Sequence, residues 1–316
     1  MIEQKMQVQG SLPLVELCQL SGVSRASYYR RWLAERASDE EMVVRDRLQQ
    51  LALQHRHHGY RYITKLLKRE GWTINHKRTL RLMREDNLLR LRRRKWVHTT
   101  ESDHDRPIYP NMARLLKVQG PDQLWVADIT YVRLRSEFVY VAILLDVFSR
   151  RVVGWTIGKN LDSSLTERAL EKAIQARQPK PGLVHHSDRG WQYACNDYIA
   201  MLNRYGIEIS MSRSGNPYDN AYAESFMKTL KTEEVDGRRY HSLEEAASSI
   251  ETFIEVFYNQ QRLHSKLGYL SPAEFEAGCT LNERGMLSID GTREGEPPSL
   301  VLPSPARDAN DAVRVD

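Results

Sequence analysis

Three acidic residues carry the chemistry that this chain is able to do. Asp128 lies inside Gln123-Leu-Trp-Val-Ala-Asp-Ile-Thr-Tyr-Val132, an apolar run rich in β-branched and aromatic residues that reads as a buried strand. Asp188 closes a second such run, Gly182-Leu-Val-His-His-Ser-Asp188, directly before the breaker pair Arg189-Gly190. Glu224 falls in Tyr218-Asp-Asn-Ala-Tyr-Ala-Glu-Ser-Phe-Met-Lys-Thr-Leu-Lys231, which reads as a helix with Asp219 as its N-cap. Two strand-end aspartates and a helical glutamate converge only through the fold, and once together they repel unless cations lie between them. Hard carboxylate oxygens select Mg²⁺ or Mn²⁺ over Zn²⁺. Two such ions about 3.5–4 Å apart, bridged by one carboxylate, activate an oxygen nucleophile and stabilise the leaving oxygen of a phosphodiester. The expected division has Asp128 bridging both ions, with Asp188 and Glu224 holding one each.

The Glu224 segment has two faces. Asn220, Glu224, Lys228 and Lys231 fall at i, i+4, i+8 and i+11 and form a polar stripe, whereas Ala223, Phe226, Met227 and Leu230 form the apolar side. Lys228 and Lys231 thus follow the carboxylate on its own face, suitably placed for a phosphate bound beside it. Asp146 is a fourth acidic candidate, but Leu144-Leu-Asp-Val-Phe-Ser-Arg150 reads as a strand entering a turn, which favours a structural role. His185 and His186 precede Asp188; beside hard carboxylates they are poor candidates for metal ligands. Asn216-Pro-Tyr-Asp-Asn220 reads as a loop next to the site and a candidate substrate contact.

The elements that position these residues lie in the second part of the chain. From Gln123 onward the pattern is strand (to Val132), strand (Phe138–Leu145), strand (Val152–Ile157), helix (Ser163–Arg177), strand (Leu183–His186), helix (Asn196–Tyr205), strand (Ile207–Met211), the Glu224 helix, and a last helix (Leu243–Tyr258). That order is the RNase H-like α/β fold, a mixed sheet with flanking helices that gathers carboxylates at one end. Residues 96–122, with Pro107, Pro110, Gly120 and Pro121, read as a linker. Residues 277–316 are rich in Pro, Gly, Ser and charge and read as a disordered tail. The catalytic core is therefore expected over 123–276.

The first hundred residues have a different character. They hold 21 Lys+Arg against 10 Asp+Glu, whereas the remainder holds 25 against 31, although the whole chain has a net charge of only +5. A basic first part joined to a mildly acidic remainder suggests that the first part grips a polyanion. Within 1–37, Leu14-Val-Glu-Leu-Cys-Gln-Leu20, a Ser-Gly-Val-Ser turn and a helix from Arg25 make a helix-turn-helix pattern with Ser24 as N-cap. Arg25, Ser27, Tyr28 and Arg31 are placed to reach phosphates or base edges. Within 38–95, helical apolar spacing recurs through Val44, Leu48, Leu51, Ile63, Leu67, Leu82 and Met83. Its end, Lys77 to Lys95, holds nine Lys or Arg, among them Lys77, Arg78, Arg81, Arg92, Arg93 and Arg94. Beside a helix-turn-helix, these read as phosphate contacts.

Bulk properties exclude other classes. At 316 residues with 41% hydrophobic content, the chain is long enough for two or three domains with a real core. It has no apolar run of about eighteen residues, and its start, Met1-Ile-Glu-Gln-Lys-Met-Gln7, has no apolar signal region, so a cytoplasmic, nucleoid-associated location is expected. Cys18, Cys195 and Cys279 are scattered and odd in number, against a disulfide framework.

Several motifs together resemble one family. Trp125-Val-Ala-Asp-Ile-Thr-Tyr131 and Leu144-Leu-Asp-Val-Phe-Ser-Arg-Arg-Val-Val-Gly-Trp155 resemble the catalytic core of DDE transposases and retroviral integrases. His186-Ser-Asp-Arg-Gly-Trp-Gln-Tyr193, Ser212-Arg-Ser-Gly-Asn-Pro-Tyr-Asp-Asn-Ala-Tyr-Ala-Glu-Ser-Phe226 and Tyr258-Asn-Gln-Gln-Arg-Leu-His-Ser265 are similar to the OrfB proteins of insertion-sequence family three. The likeness runs from about Leu14 to Phe275. It implies a DNA transposase that cleaves element 3′ ends and joins them to new DNA through a circular intermediate. It also implies a second helix-turn-helix module over 38–95, a DNA contact at the basic residue seven places after the glutamate, Lys231, and multimerisation on paired ends. A shorter partner from the upstream reading frame, OrfA, often fused by frameshifting, is implied as well. An RNase H-like nuclease without strand transfer and a non-catalytic DNA-binding repressor are the alternatives that the residues alone leave open.

Overall fold

The computed structural model describes residues 14–28, 39–89, 108–114, 116–213, 219–281 and 287–289. It divides into two compact units, Met1–Arg93 and Arg94–Asp316. In the first unit, α1 (Leu14–Leu20) ends where Gly22 takes a left-handed φ of +65°. There the N–H groups of Gly22 and Val23 close on the carbonyls of Gln19 and Cys18, satisfying acceptors at the helix end. Ser24 Oγ then accepts the Ser27 N–H at 3.0 Å and restarts the helix at Arg25, as the N-cap expectation required. Helices α2 (Asp39–Gln54), α3 (Tyr60–Arg69) and α4 (His76–Glu85) follow. Asn75 caps α4 by accepting the Arg78 N–H at 2.8 Å. Leu48, Ile63, Leu67 and Leu82 are fully buried, so the helical spacing read from the sequence does build a core.

The second unit is a mixed sheet of β1 (Leu124–Arg133), β2 (Phe138–Asp146), β3 (Val152–Gly158), β4 (Val184–Ser187) and β5 (Glu208–Met211). The strand order is β3-β2-β1-β4-β5, with β1–β2 and β2–β3 antiparallel and β1–β4 and β4–β5 parallel. On one face, Leu124, Val126 and Val132 pack with residues of α7 (Ala221–Leu230) and of α8 (Leu243–Glu251), which runs on as a π-helical segment, Thr252–Gln261. On the other face, Trp125 and Ala127 pack with α5 (Ser163–Arg177) and α6 (Asn196–Arg204). Alternate residues of β1 therefore enter two different cores, which is why the strand is apolar almost throughout. At Gly154 the α5 backbone comes so close that any Cβ would overlap the Ala169 carbonyl and the Ala173 methyl. Among the described residues no helix is long and apolar enough to cross a membrane.

Side-chain amides and hydroxyls close what the strands leave open. β3 is an edge strand, and Asn259 presents both ends of its amide to it. Its Oδ1 accepts the Val152 N–H and its Nδ2 donates to the Val152 carbonyl, each at 3.0 Å. The described residues of 108–122 carry no helix or strand, yet they are tied down at β5. Ser210 Oγ accepts the N–H groups of Met112 (2.9 Å) and Ala113 (3.3 Å). The sequence reading expected a structureless tail from 277; instead Cys279–Leu281 pairs antiparallel with Leu287–Ile289. A short apolar alternation in each of the two segments outweighs the polar composition there. The remainder of the tail lies outside the described residues.

His186 is fully buried between two serines, with Nδ1 2.8 Å from Ser210 Oγ and Nε2 3.0 Å from Ser212 Oγ. Ser210 spends both lone pairs on the two N–H groups, so its own proton goes to Nδ1 and the ring carries hydrogen on Nε2. Burial lowers His186 to about 4, against the opposing pull of Asp219, and burial with the neighbouring His186 lowers His185 to about 3. Because unfolding restores an ordinary value of about 6.5, the unfolded chain binds these protons more readily. The contribution of both rings is complete above that value and is lost as pH falls through 4 and then 3. Imidazole ¹⁵N spectra at about pH 5.5, where an ordinary histidine is mostly charged, should show both rings neutral and His186 as the Nε2–H tautomer. A charged His186 at that pH would contradict the network. Replacing Asn259 with Ala should lower unfolding free energy in urea by about 2–4 kcal/mol, since it strands two backbone groups of Val152.

Candidate active site

Strand register brings the two aspartates together. In the parallel β1–β4 pair, Leu124, Trp125 and Val126 face Val184, His185 and His186. Two residues beyond the last of these pairs stand Asp128, on β1, and Asp188, one residue past the end of β4. Adjacent strands lie about 4.8 Å apart, so the carboxylates are neighbours by construction. Each is oriented by a backbone donor: Asp128 Oδ1 accepts the Ile129 N–H and Asp188 Oδ1 accepts the Gly190 N–H, both at 2.9 Å. A Cβ at Gly190 would crowd this bond, standing 3.0 Å from Asp188 Oδ1 and 2.9 Å from Gln192 Oε1, so one of these side chains would have to shift.

Glu224 comes from α7, whose apolar face (Ala223, Phe226, Met227, Leu230) is buried as the sequence pattern predicts. The start of the helix differs from expectation. Asp219 is not its N-cap: the carboxylate instead accepts the Arg213 N–H at 2.9 Å and pairs with the Arg213 guanidinium at 3.2 Å, a stronger charge-assisted set. Asn220 occupies the cap position without a side-chain cap bond. Rather than lying on the exposed polar stripe, Asn220 is 5% exposed and donates through Nδ2 to the Ala127 carbonyl at 3.0 Å. This bond ties the start of the Glu224 helix to the residue preceding Asp128.

The acidic residues oppose one another electrostatically. Burial, then the charges of Asp188 and Glu224, push Asp128 up to about 8, with the Ile129 N–H and Lys231 opposing. Asp128 is nevertheless half-buried, with part of its surface open to solvent. Lys231 is half-buried too, with Nζ 4.2 Å from the Tyr131 ring centre. Its own value is lowered by burial, against the charges of Asp128 and Asp236. Lys228 is exposed. Among the described residues no group of three or more His, Cys, Asp or Glu is arranged to hold one ion. Carboxylate oxygens are hard donors, and such donors fit Mg²⁺ or Mn²⁺.

Asp146 is structural, as its context suggested. It is fully buried and accepts the Asp122 N–H (2.8 Å), the Ser149 N–H (2.7 Å) and the Ser149 hydroxyl (2.8 Å), closing the turn between β2 and β3. The histidines are held by Tyr198, whose hydroxyl is 2.8 Å from His185 Nε2, and by the serines described above. In the first unit, Arg25, Ser27, Lys77 and Arg81 are exposed and Tyr28 and Arg78 are half-buried. Arg78 and Arg81 lie 3.4 and 3.5 Å from Glu41, which shares their charge. Arg31, Arg92, Arg93, Arg94 and residues 216–218 lie outside the described residues. Sequence reasoning missed the tether at Asn220 and the fit at Gly190. The Gly190 fit had a signal in the Asp-Arg-Gly turn; the tether is a tertiary contact with none.

Two integrase core domain models match residues 118–217 and 205–272, and an HTH-like domain model matches residues 38–96. Among curated relatives, the chain is 39% identical over 264 residues to the insertion element IS600 uncharacterized 31 kDa protein of Shigella sonnei, spanning 82% of this chain and 97% of that one. It is 38% identical over 232 residues to the transposase for insertion sequence element IS904 of Lactococcus lactis, spanning 71% of this chain and 90% of that one. It is also 31% identical over 275 residues to transposase InsF for insertion sequence IS3A of Escherichia coli, spanning 85% and 95%. The chain belongs to the IS3-family insertion-sequence transposases. Its second unit is the family's integrase core, and the aspartate pair stands within the first matched segment. Glu224 stands in the second. For this family member, Gly190→Ala should lower DNA strand transfer about 10²-fold through displacement of Asp188, while the unfolding midpoint stays within a few degrees. Full activity in that variant would show that Asp188 tolerates the displacement.

Proposed function

We propose that this transposase cleaves the 3′ ends of its element and joins them to new DNA, using Asp128, Asp188 and Glu224 as its carboxylates. The observation that supports this most directly is the register placing Asp128 beside Asp188, together with the upward push on Asp128 from Asp188 and Glu224. Asp128, which feels the charges of both other carboxylates, would be the residue shared between two ions, and Asp188 and Glu224 would each hold one. Two Mg²⁺ or Mn²⁺ ions, when bound, supply an activated oxygen nucleophile and a stabilised leaving oxygen. The backbone donors at Ile129 and Gly190 fix the rotation of the two aspartates. Lys231, beside Asp128, neutralises part of the charge of a bound phosphate, with Lys228 one turn away on the exposed face.

The first unit supplies DNA binding. Arg25, Ser27, Tyr28 and Arg31 serve the first helix-turn-helix, and Lys77, Arg78, Arg81 and the Arg92-Arg93-Arg94 run serve the second. Binding then loses affinity steeply with added salt. The substrates are terminal-repeat DNA and target DNA, the working form is a homo-oligomer on paired ends, and the upstream-frame OrfA protein or a fusion with it completes the enzyme.

Labelled terminal-repeat DNA with Mg²⁺ tests this reading. Wild-type protein, with OrfA present, should give joined products. Asp188→Asn and Glu224→Gln should lose them by about 10³-fold, the loss of several kcal/mol of transition-state stabilisation, while DNA retention in gel shifts persists. Substantial joining by Glu224→Gln would overturn the assignment. Hydrolysed ends without joining would instead mark a nuclease.

A further inference from the structure

Across Gly190 from Asp188 lies a tyrosine whose hydroxyl the reaction as described does not use. Tyr193 is 2% exposed, and among the described residues its Oη has no hydrogen-bond partner. Its ring meets Tyr198 edge-on, centres 5.5 Å apart, and lies 6.1 Å from His185. The same ring faces Asp188 across Gly190: a Cβ on that glycine would be 3.6 Å from Tyr193 Cδ2 and 3.0 Å from Asp188 Oδ1. Burial first, then the charges of Asp188 and Asp128, hold the phenol well above its ordinary range, so the group keeps its proton and remains a donor.

Packing alone does not account for the oxygen. Phe would fill the same space without a buried unpaired hydroxyl, which destabilises a fold. Tyr198, in the same cluster, has its hydroxyl satisfied by His185 Nε2 at 2.8 Å. Two buried polar atoms of this cluster are left over among the described residues, His185 Nδ1 and Tyr193 Oη, and the tyrosine is the one whose ring lies across Gly190 from Asp188. An ionised carboxylate accepts at about four lone-pair sites, and metal-ligating carboxylates are characteristically held by hydrogen bonds from a surrounding layer of donors. We propose that Tyr193 is a positioning residue whose hydroxyl donates to the Asp188 carboxylate when a divalent cation occupies the site. The proposal rests on the carboxylate reading given above.

The test compares full-length wild type, Tyr193→Phe and Asp188→Asn by Mn²⁺ titration, followed by electron paramagnetic resonance, and by metal-free thermal unfolding. Tyr193→Phe should bind Mn²⁺ about 10-fold more weakly or worse, yet unfold about 2–4 °C higher without metal because the unpaired hydroxyl is gone. Asp188→Asn should lose that site. Loss in Asp188→Asn with unchanged affinity in Tyr193→Phe would overturn the tyrosine's role alone. Unchanged affinity in both would overturn the carboxylate reading and the tyrosine with it. A lower unfolding temperature for metal-free Tyr193→Phe would show the hydroxyl already partnered, and would also overturn the proposal.

Discussion

Like charges held side by side are the constraint around which the second unit is organised. Parallel pairing of β1 with β4 leaves Asp128 and Asp188 no choice but to be neighbours, and the cost appears in the upward push on Asp128. A sheet whose central strands are apolar on both faces has the rigidity to hold them there. The third carboxylate comes from a helix and is held separately. Its apolar face anchors α7 in one core, while Asn220 fixes its first turn to β1.

Around this centre the residues that look reactive divide into two kinds. Some carboxylates and imidazoles are satisfied by neighbours in fixed geometry: Asp146 by three donors at the turn, His186 by two serines, Asp219 by Arg213. Asp128 differs, because its strongest neighbours repel it and only one backbone N–H and a lysine oppose them. The distinction lies in how the partners balance, not in residue type.

Much of this was legible in the sequence because period and breakers are local. The Ser163–Arg177 helix falls at its expected bounds, bracketed by a capping Asp162 and a left-handed Gln178, and the strands differ from expectation by a residue or two. The Ser24 cap was readable for the same reason. What failed depended on distant partners. Asp219 looks like an N-cap until Arg213 claims it, and Asn220 looks like part of an exposed stripe until the Ala127 carbonyl draws it inward. The π-helical continuation Thr252–Gln261 has no sequence period of its own; it brings Asn259 level with Val152. The carboxylates themselves were proposed from motif and placement together, since a lone Asp or Glu carries little signal.

The amide of Asn259 has a consequence beyond this chain's own stability. An exposed sheet edge is a template on which another copy's strand can grow, and proteins crowded together along one polymer meet that hazard at high local concentration. By occupying both hydrogen-bonding groups of Val152, a single side chain stands in for the next strand and caps the sheet at that point. Copies brought together are thereby denied one route to aggregation, and association is left to surfaces shaped for it.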